Sequence, residues 1–227
     1  MKHMLRVEFH CHTSFSKDCL VSPHRLVECC ARKGIDRVVV TDHNTIAGAL
    51  AAQELDPGRV IVGEEIMTTR GEVLAAFVRS EIPPGLSPQE TIARLREQGA
   101  FISISHPFDA HRKGGWKEQH LLEVLTLVDA IETYNSRCMW PGHNRLAYQF
   151  ADTHGVAGTV GSDAHTCWEL GRSTLTLPPF GHAWELRQVI RQGCPHTRWS
   201  PPWIHLISRY AVIRKRMQRH LDTTLAA

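Results

Sequence analysis

Hydrophobic and polar positions along the chain follow two alternating patterns. Short runs of β-branched and other apolar residues, such as Arg37–Thr41 (RVVVT), have the nearly continuous apolar character of strands buried on both faces. The stretches between these runs place apolar residues at helical spacing. One of them begins with a capping box, in which Ser87 precedes Pro88 and Glu90 stands at the third helical position. The pattern therefore predicts alternating strands and helices.

The predicted elements are spread evenly over the chain. Strands are predicted at residues 7–9, 37–41, 60–67, 71–78, 101–105, 130–134, 156–161 and 173–177, and the third and fourth of these are expected to form a hairpin. Helices are predicted at residues 23–33, 45–55, 88–98, 117–128, 142–154 and 183–192. Because strand and helix alternate about seven times, we predict one α/β domain, either a parallel barrel or a doubly wound sheet.

The last part of the chain has a helical pattern of its own. Its apolar positions are Trp203, Ile207, Tyr210, Met217 and Leu221, and its basic positions are Arg209, Arg214, Lys215, Arg216 and Arg219. We predict a barrel domain over residues 1–200, followed by a basic amphipathic helix over residues 201–227 whose apolar stripe packs on the barrel. The alternatives are a helix that lies on a membrane surface, binds a partner protein or contacts nucleic acid.

Composition narrows the class of protein. The chain has 227 residues, of which 42% are hydrophobic, enough for the core of one domain. A formal net charge of +3 is too small to indicate a nucleic-acid partner, and no apolar run has the length of a secretory signal or a transmembrane helix. The seven cysteines follow no metal-binding or disulfide spacing, so we expect reduced thiols in a cytoplasmic protein.

Histidines and carboxylates stand at the ends of five predicted strands. The residues are His10 and His12, Asp42 and His43, Glu64 and Glu65, His106, and Asp163 and His165. The carboxyl ends of the strands form the catalytic face of a (β/α) barrel, or the ligand crevice of an open sheet. Residues two apart in an extended chain point the same way, so His10 and His12 can bind one ion. The sequence therefore predicts a site for more than one metal ion.

The types of ligand restrict both the metal and the reaction. Imidazole and carboxylate groups without thiolates suit Zn²⁺, Mn²⁺ or Fe²⁺ rather than a cysteine-rich structural zinc site. A carboxylate can bridge two ions, and a hydroxide held between ions is a nucleophile at neutral pH. The chain has no Walker loop, GxSxG motif or GxGxxG motif. The sequence therefore lacks the signatures of P-loop nucleotide hydrolases and of serine hydrolases.

Five motifs in this order resemble those of the polymerase and histidinol phosphatase (PHP) superfamily. They are EFHCHTSFSKD, VVVTDHNT, VGEEI, ISHPF and GSDAH, and the similarity extends from residue 8 to residue 172. The resemblance implies a distorted seven-stranded (β/α) barrel with two or three bound divalent metal ions. It also implies a phosphoesterase, because members of the family act mostly on small phosphomonoesters, nucleotides or nucleic-acid ends.

The resemblance also assigns the ligands to three metal sites. The first would be held by His10, His12, Glu65 and Asp163, the second by Glu65, Glu72 and His106, and the third by Asp18, His43 and His165. Many relatives have a histidine where this chain has Glu72, within GEVLAAF, so this ligand departs from the commoner pattern. Asp42 and Asp163 are the candidate catalytic residues. Asp42 is expected either to orient ligands and move protons or to cap a helix.

Cationic residues near the predicted site are candidates for binding an anionic substrate. Lys17 lies in the loop after the HxH motif, and Arg137 follows the strand at residues 130–134. Arg172 and Arg112 lie in other loops on the same side. Arginine is favoured for phosphate because its guanidinium donates two parallel hydrogen bonds.

Three functions remain open at this point. The favoured one is hydrolysis of a phosphate ester, a small phosphomonoester or a nucleotide, by a metal-bound hydroxide. A nuclease acting on 3′ ends would need a basic, aromatic groove, and aromatic residues make up only 7% of the chain, so nucleic acid is the less favoured substrate. The third function is that of a non-catalytic accessory domain. Members of the family with that role sometimes lack metal ligands, whereas nearly every ligand position is filled in this chain, which disfavours this alternative.

Overall fold

The computed structural model describes residues 4–109, 112 and 114–225. Strands and helices alternate through this range. The strands are β1 (Leu5–Cys11), β2 (Arg37–Val40), β3 (Val60–Met67), β4 (Glu72–Ala76), β5 (Phe101–Ile104), β6 (Ala130–Asn135), β7 (Ala157–Gly161), β8 (Thr174–Leu177) and β9 (Cys194–His196). The helices are α1 (Pro23–Arg32), α2 (Ala47–Leu55), α3 (Pro88–Glu97), α4 (Glu118–Val124), α5 (Pro141–Thr153), α6 (Ala183–Val189) and α7 (Ile204–Leu225).

Strands β1–β7 form a barrel-like sheet. They lie in the order β7-β6-β5-β4-β3-β2-β1, with β4 antiparallel to both of its neighbours and the other pairs parallel. The sheet closes where the end of β1 meets the segment after β7. There the amide of His12 donates to the carbonyl of Ala164 (2.9 Å), and the amide of Ala164 donates to the carbonyl of His10 (3.3 Å). The predicted α/β barrel class and the β3–β4 hairpin are confirmed.

The complete sheet has nine strands in the described part of the chain rather than the seven of the predicted barrel. β8 runs antiparallel to the first half of β1, where Leu5 pairs with Leu177, and β9 pairs with β8. β8 corresponds to the strand predicted at residues 173–177. β9 has no predicted counterpart, because its three exposed residues, Cys-Pro-His, show no apolar alternation.

Alternate residues of the barrel strands enter two hydrophobic clusters. Val38 of β2 packs in a cluster that contains Leu26 of α1. Its neighbour Val39 packs in the second cluster, with Phe9 of β1 and Phe101 of β5. The barrel strands are therefore buried on both faces, which accounts for their nearly continuous apolar sequences. The polar side chains at the strand ends thus stand on a well-packed core.

Helix α7 contacts the rest of the chain through a different face from the predicted one. Ile204 and Ala211 are buried, whereas Trp203, Tyr210 and Met217 of the predicted stripe are more than half exposed. The helix has apolar residues on two faces, and its own sequence does not distinguish the one that meets the barrel. None of the described helices, α7 included, is both long and apolar enough to cross a membrane.

Two of the seven cysteines are paired. Cys29 of α1 and Cys167, in the segment after β7, form a disulfide with their Cα atoms 6.0 Å apart. The expectation of reduced thiols is therefore wrong for this pair. The two residues are 138 positions apart, so no local spacing could indicate the bond. The predicted cytoplasmic location, which relied on reduced thiols, stays a prediction.

Candidate metal centre

One end of the barrel brings the predicted ligands together. Imidazole nitrogens and carboxylate oxygens from separate strands and loops face one another there, and most of these side chains are buried. The residues in this ligand cluster are His10, His12, Asp18, His43, Glu65, Glu72, His106, Asp163 and His165.

The first group of ligands lies at the ends of β1 and β7. The Nε2 atoms of His10 and His12 are 3.6 and 3.2 Å from Oδ1 of Asp163. The same nitrogens are 3.3 and 3.5 Å from the two carboxylate oxygens of Glu65. Alternation along β1 explains why the two imidazoles share a side, while Cys11 between them packs in the hydrophobic core. This group is the set that the resemblance implies for the first ion.

Glu65 lies at the centre of the ligand cluster, whereas its neighbour Glu64 does not. Oxygens of Glu65 are 2.9 Å from Nδ1 of His43 and 3.2 Å from Nε2 of His106. Glu64 points to the other side of β3, where it accepts a hydrogen bond from the amide of Ile82 (3.1 Å). Burial raises the pKa of Glu64 to about 8. Of the two glutamates, Glu65 is the one placed to bridge two ions.

The second group forms around Glu72 of β4. Oε2 of Glu72 is 3.3 Å from Nε2 of His106, and Oε1 is 3.7 Å from Nδ1 of His43. Because β4 is antiparallel, Glu72 stands at the beginning of its strand and still reaches the same end of the barrel. Gly114 provides the space, since a Cβ at this position would overlap the Glu72 carboxylate. The carboxylate thus lies where the resemblance implies a ligand.

The third group is the most accessible of the three. Oδ2 of Asp18 is 3.6 Å from Nε2 of His43 and 3.3 Å from Nε2 of His165. The side chains of Asp18 and His43 keep 20% and 19% of their surface exposed. This group therefore lies towards solvent, above the buried groups that share Glu65.

Several buried atoms of the cluster have no hydrogen-bond partner within the described residues. They are Nε2 of His10, His12 and His165, Oε2 of Glu65 and Oδ1 of Asp163. A buried polar atom without a hydrogen-bond partner costs stability, and these atoms face the imidazole nitrogens and carboxylate oxygens of the same cluster. Convergent imidazole nitrogens and carboxylate oxygens are the ligands of divalent transition metals, so the residues fit such ions.

Burial and mutual charge determine the protonation of the imidazoles. Burial, with two neighbouring imidazoles, lowers the pKa of His12 to about 4, so its ring is neutral and can donate a lone pair. Burial and the guanidinium of Arg112 oppose the charged form of His106, but Glu65 and Glu72 outweigh both and raise its pKa to about 9. Binding of an ion by His106 would therefore release a proton.

Glu132 of β6 orients two ligands. Its Oε1 lies 2.9 Å from Nδ1 of His10, which leaves Nε2 of that ring as the ligand atom. Its Oε2 accepts from the amide of His106 (2.8 Å) and from Nδ2 of Asn135 (3.0 Å). Glu132 is absent from the predicted site residues. The sequence signal that could have identified Glu132 is its place directly after two apolar residues of a predicted strand. In the structure this glutamate is buried.

Asp42 holds the loop after β1. Its carboxylate accepts from the amide (2.7 Å) and hydroxyl (2.5 Å) of Thr13 and from the hydroxyl of Ser16 (2.5 Å). Ser16 Oγ in turn lies 3.2 Å from Nδ1 of His12, so Asp42 orients a ligand through Ser16. Helix α2 begins at Ala47 without a side-chain cap, which is evidence against the capping alternative. No described contact joins the Asp42 carboxylate to a ligand side chain, so its catalytic role stays a prediction.

Arg112 pairs with Asp163, the other candidate catalytic residue. Its Nη1 is 2.6 Å from Oδ2 of Asp163, and its Nε donates to Asp109 (3.1 Å). One oxygen of Asp163 thus faces the imidazoles and the other faces a guanidinium. Burial opposes the Asp163 carboxylate, but Arg112 and His10 outweigh it and hold its pKa well below the ordinary value. In the sequence Arg112 stands out only as a cation in a nearby loop, and nothing connects it to Asp163.

A cavity of about 280 Å³ opens at the ligand cluster. Four ligands reach its surface, three cationic residues surround them, and α7 supplies part of the wall. The lining includes the ligands Asp18, His43, Glu72 and His165, the cations Lys17, Arg112 and Arg137, and His205 and Ser208 of α7. The cavity can therefore accept a small anionic molecule.

Arg137 is fixed in the wall of this cavity. Its Nε is 3.2 Å from Oε1 of Glu169, and its Nη2 donates to Oγ of Ser208 (2.8 Å). Its Nη1 contacts Nδ1 of His165. Only 3% of Arg137 is exposed, so the guanidinium is held in place before any substrate arrives.

The other two predicted substrate-binding residues differ in position. Lys17 is exposed and lines the cavity. Arg172 is not among the lining residues, because its guanidinium stacks 4.3 Å over the ring of Trp168 and donates to the carbonyl of Trp199. The predicted contact between Arg172 and substrate has no support from this position.

The chain matches known proteins in sequence. The family model of the PHP domain matches residues 8–98, and that of the PHP-associated region matches residues 141–194. The uncharacterized protein MJ0417 of Methanocaldococcus jannaschii is 36% identical to this chain over 175 residues, which cover 75% of this chain and 70% of that protein.

Solved structures share the fold at low sequence identity. A proposed metal-dependent phosphoesterase from Bifidobacterium adolescentis has a TM-score of 0.59 and 18% identity, over 73% of this chain and 90% of its own. The lesion-specific endonuclease PfuEndoQ from Pyrococcus furiosus has a TM-score of 0.55 and 16% identity, over 84% of this chain and 56% of its own. The two matched family models cover β1–β4 and β7–β8 of one continuous sheet, and we conclude that the chain belongs to the polymerase and histidinol phosphatase superfamily.

Proposed function

We propose that this metal-dependent hydrolase cleaves a phosphate ester of a small molecule, either a phosphomonoester or a nucleotide. The observation that carries the proposal is the position of the ligand cluster at a cavity of about 280 Å³. Pockets for small ligands commonly measure about 300–1,000 Å³, and this cavity of about 280 Å³ is just below that range, so it suits a small substrate. Lys17, Arg112 and Arg137 in its lining favour an anionic group.

The residues of the site have two tasks in this proposal. The ligand cluster would hold the divalent ions, which when bound supply a nucleophile at neutral pH and neutralise charge on the phosphate oxygens. Arg137, held by Glu169 and Ser208, would bind the phosphate in a fixed orientation. Lys17 is exposed and can add a second positive charge at the entrance.

Asp163 lies between the residues that would hold the ions and the cationic residues of the cavity. Its Oδ1 faces His10 and His12, and its Oδ2 contacts Arg112. A change at Asp163 would therefore disturb an ion site and a cavity cation together. For this reason we keep Asp163 as the leading candidate for a catalytic residue.

The alternatives have weaker support. The likeness to PfuEndoQ is a likeness of fold, and a polynucleotide would need aromatic side chains for base stacking at the site, whereas the described residues that line the cavity include no Phe, Tyr or Trp. An accessory domain without activity would tolerate loss of ligands, yet the predicted ligands are present and face one another. We therefore favour a small phosphate ester.

A substrate screen with metal-loaded and metal-free protein tests the proposal. We expect chelation to abolish hydrolysis of small phosphate esters, and Mn²⁺, Zn²⁺ or Fe²⁺ to restore it. The panel should contain phosphomonoesters, cyclic and bis-phosphorylated nucleotides, and oligonucleotides. Cleavage of oligonucleotides alone would favour the nuclease. Full activity in protein shown by elemental analysis to lack metal would contradict a metal-dependent reaction.

A further inference from the structure

Helix α7 and the residue before it carry an exposed apolar stripe. Its members recur every three or four residues and form one continuous surface about five turns long. They are Trp203, Leu206, Tyr210, Ile213, Met217 and Leu221, with 52%, 66%, 57%, 56%, 62% and 58% of their surface exposed. Ile204 and Ala211, on the opposite side of the helix, are buried. The exposed stripe is therefore additional to the face that packs on the barrel.

Arginines flank the exposed stripe on both sides. At 100° per residue, Arg209 and Arg216 lie along one edge, and Arg214 lies along the other. All three side chains are exposed and have no carboxylate partner among the described residues. The helix has no acidic residue before Asp222. The surface thus combines apolar side chains with unneutralised positive charge.

The aromatic part of the exposed stripe extends beyond the helix. The ring of Trp168 lies 5.6 Å from that of Trp203, and 49% of Trp168 is exposed. Arg172 covers this ring from the side of the barrel, with its guanidinium 4.3 Å from the ring centre. The two tryptophans lie near the first turns of α7, where His205 and Ser208 line the substrate cavity.

Charge and side-chain type distinguish the possible occupants of this surface. A second copy of α7 would bring its own arginines against these in either orientation, which opposes self-association. An acidic helix would match the charge, but Trp203 and Tyr210 take positions where closely packed helix pairs prefer smaller aliphatic side chains. Tryptophan, tyrosine and arginine suit the boundary between lipid headgroups and acyl chains, because each has an apolar body and a polar end.

We infer that α7 binds the surface of membranes that contain anionic phospholipids. The exposed stripe would enter the acyl boundary, and Arg209, Arg214 and Arg216 would contact the headgroups. His205 and Ser208, which line the cavity, lie on the side of the helix away from the exposed stripe, so in this orientation they would stay about one helix diameter, ~10 Å, from the lipid surface. This interaction goes beyond the proposed hydrolysis and does not depend on it.

Co-sedimentation of the full, metal-loaded chain with vesicles tests the inference. We expect binding to vesicles of phosphatidylcholine mixed with phosphatidylserine and little binding to phosphatidylcholine alone. Because part of the affinity comes from exposed charges, 0.5 M salt should weaken binding to the mixed vesicles. Equal binding to both kinds of vesicle, or no binding to either, would overturn the inference.

Two double variants separate the contributions of the exposed stripe and its charges. Leu206→Glu with Ile213→Glu should lower the affinity for mixed vesicles at least ~10-fold, and so should Arg209→Glu with Arg216→Glu. Leu55→Glu is the matched control, because Leu55 is 50% exposed at the end of α2, and it should bind like the wild type. Circular dichroism would verify that the variants fold.

Two further outcomes would reject membrane binding. One is wild-type affinity of both double variants. The other is a concentration-dependent dimer of the wild-type chain that the Leu206→Glu, Ile213→Glu variant does not form, because the exposed stripe would then be an interface between copies. Loss of vesicle binding with unchanged hydrolysis of a small substrate in solution would support the inference independently of the proposed function.

Discussion

At the scale of single residues, Glu64 and Glu65 show how one position along a strand changes the role of a carboxylate. Glu65 contacts the imidazoles of the cluster, whereas Glu64 accepts a hydrogen bond from a backbone amide on the other side of β3. We expect Glu65→Gln to lose at least one bound ion and at least ~10²-fold in kcat/KM, because it removes the charge that two ions would share.

Glu64→Gln is the matched control for this prediction. Its neutral amide resembles the protonated carboxyl that burial favours at this position, so metal content and rate should stay near those of the wild type. Elemental analysis and steady-state kinetics of both variants provide the measurement. An inactive Glu64→Gln beside an active Glu65→Gln would show that the bridging residue is wrongly assigned.

Glu72 allows a test of how ligand charge selects the metal. Its carboxylate lies 3.3 Å from His106 and 3.7 Å from His43. We expect Glu72→Ala to weaken binding of one ion. Glu72→His should retain an ion but shift preference towards Zn²⁺, because a carboxylate is the harder ligand and favours Mn²⁺ or Fe²⁺. Metal stoichiometry after loading with each ion is the measurement. Wild-type stoichiometry in both variants would show that Glu72 is not a metal ligand.

At the scale of secondary-structure elements, α7 shapes the cavity through Arg137. Ser208 of α7 accepts a hydrogen bond from this guanidinium, whose other side pairs with Glu169. We expect Ser208→Ala to raise KM by about 2- to 10-fold with little change in kcat, the scale of one lost hydrogen bond. Arg137→Ala should lower kcat/KM much further. Gln218→Ala, at an exposed position of the same helix, is the control.

Kinetics with the substrate found in the screen provide this measurement. An unchanged kcat/KM in Arg137→Ala would remove Arg137 from the substrate-binding residues. An equal rise in KM for Gln218→Ala would show that the effect belongs to the helix as a whole rather than to the hydrogen bond of Ser208.

The element scale also shows where sequence pattern stops being informative. The barrel strands are predictable because their runs of apolar residues match burial on both faces, as at β2. Helix α7 is predictable as an element but not in orientation, since Ile204 and Ala211 make the core contacts while the more regular stripe is exposed. The short strand β9 has no apolar residue pattern and could not be predicted in this way.

At the scale of the whole molecule, the ligand cluster is predictable because parallel strands end on one side of the barrel. That rule places His10, His106 and Asp163 together although they are far apart in sequence. The same rule does not predict the contact of Glu132 with His10 or that of Arg112 with Asp163. The first depends on the position of a side chain in the middle of β6, and the second on the path of a loop. Long-range contacts of this kind have no local signature in a single sequence.

Closure of the barrel gives the metal centre a second consequence. The hydrogen bonds that join β1 to the segment after β7 come from His10, His12 and Ala164, which are ligands or the immediate neighbour of Asp163. Ions bound by these side chains would hold the two ends of the sheet together, so part of their binding free energy would oppose opening of the barrel. Metal supply would then govern how often this junction unfolds locally and becomes accessible to proteases, apart from any effect on catalysis.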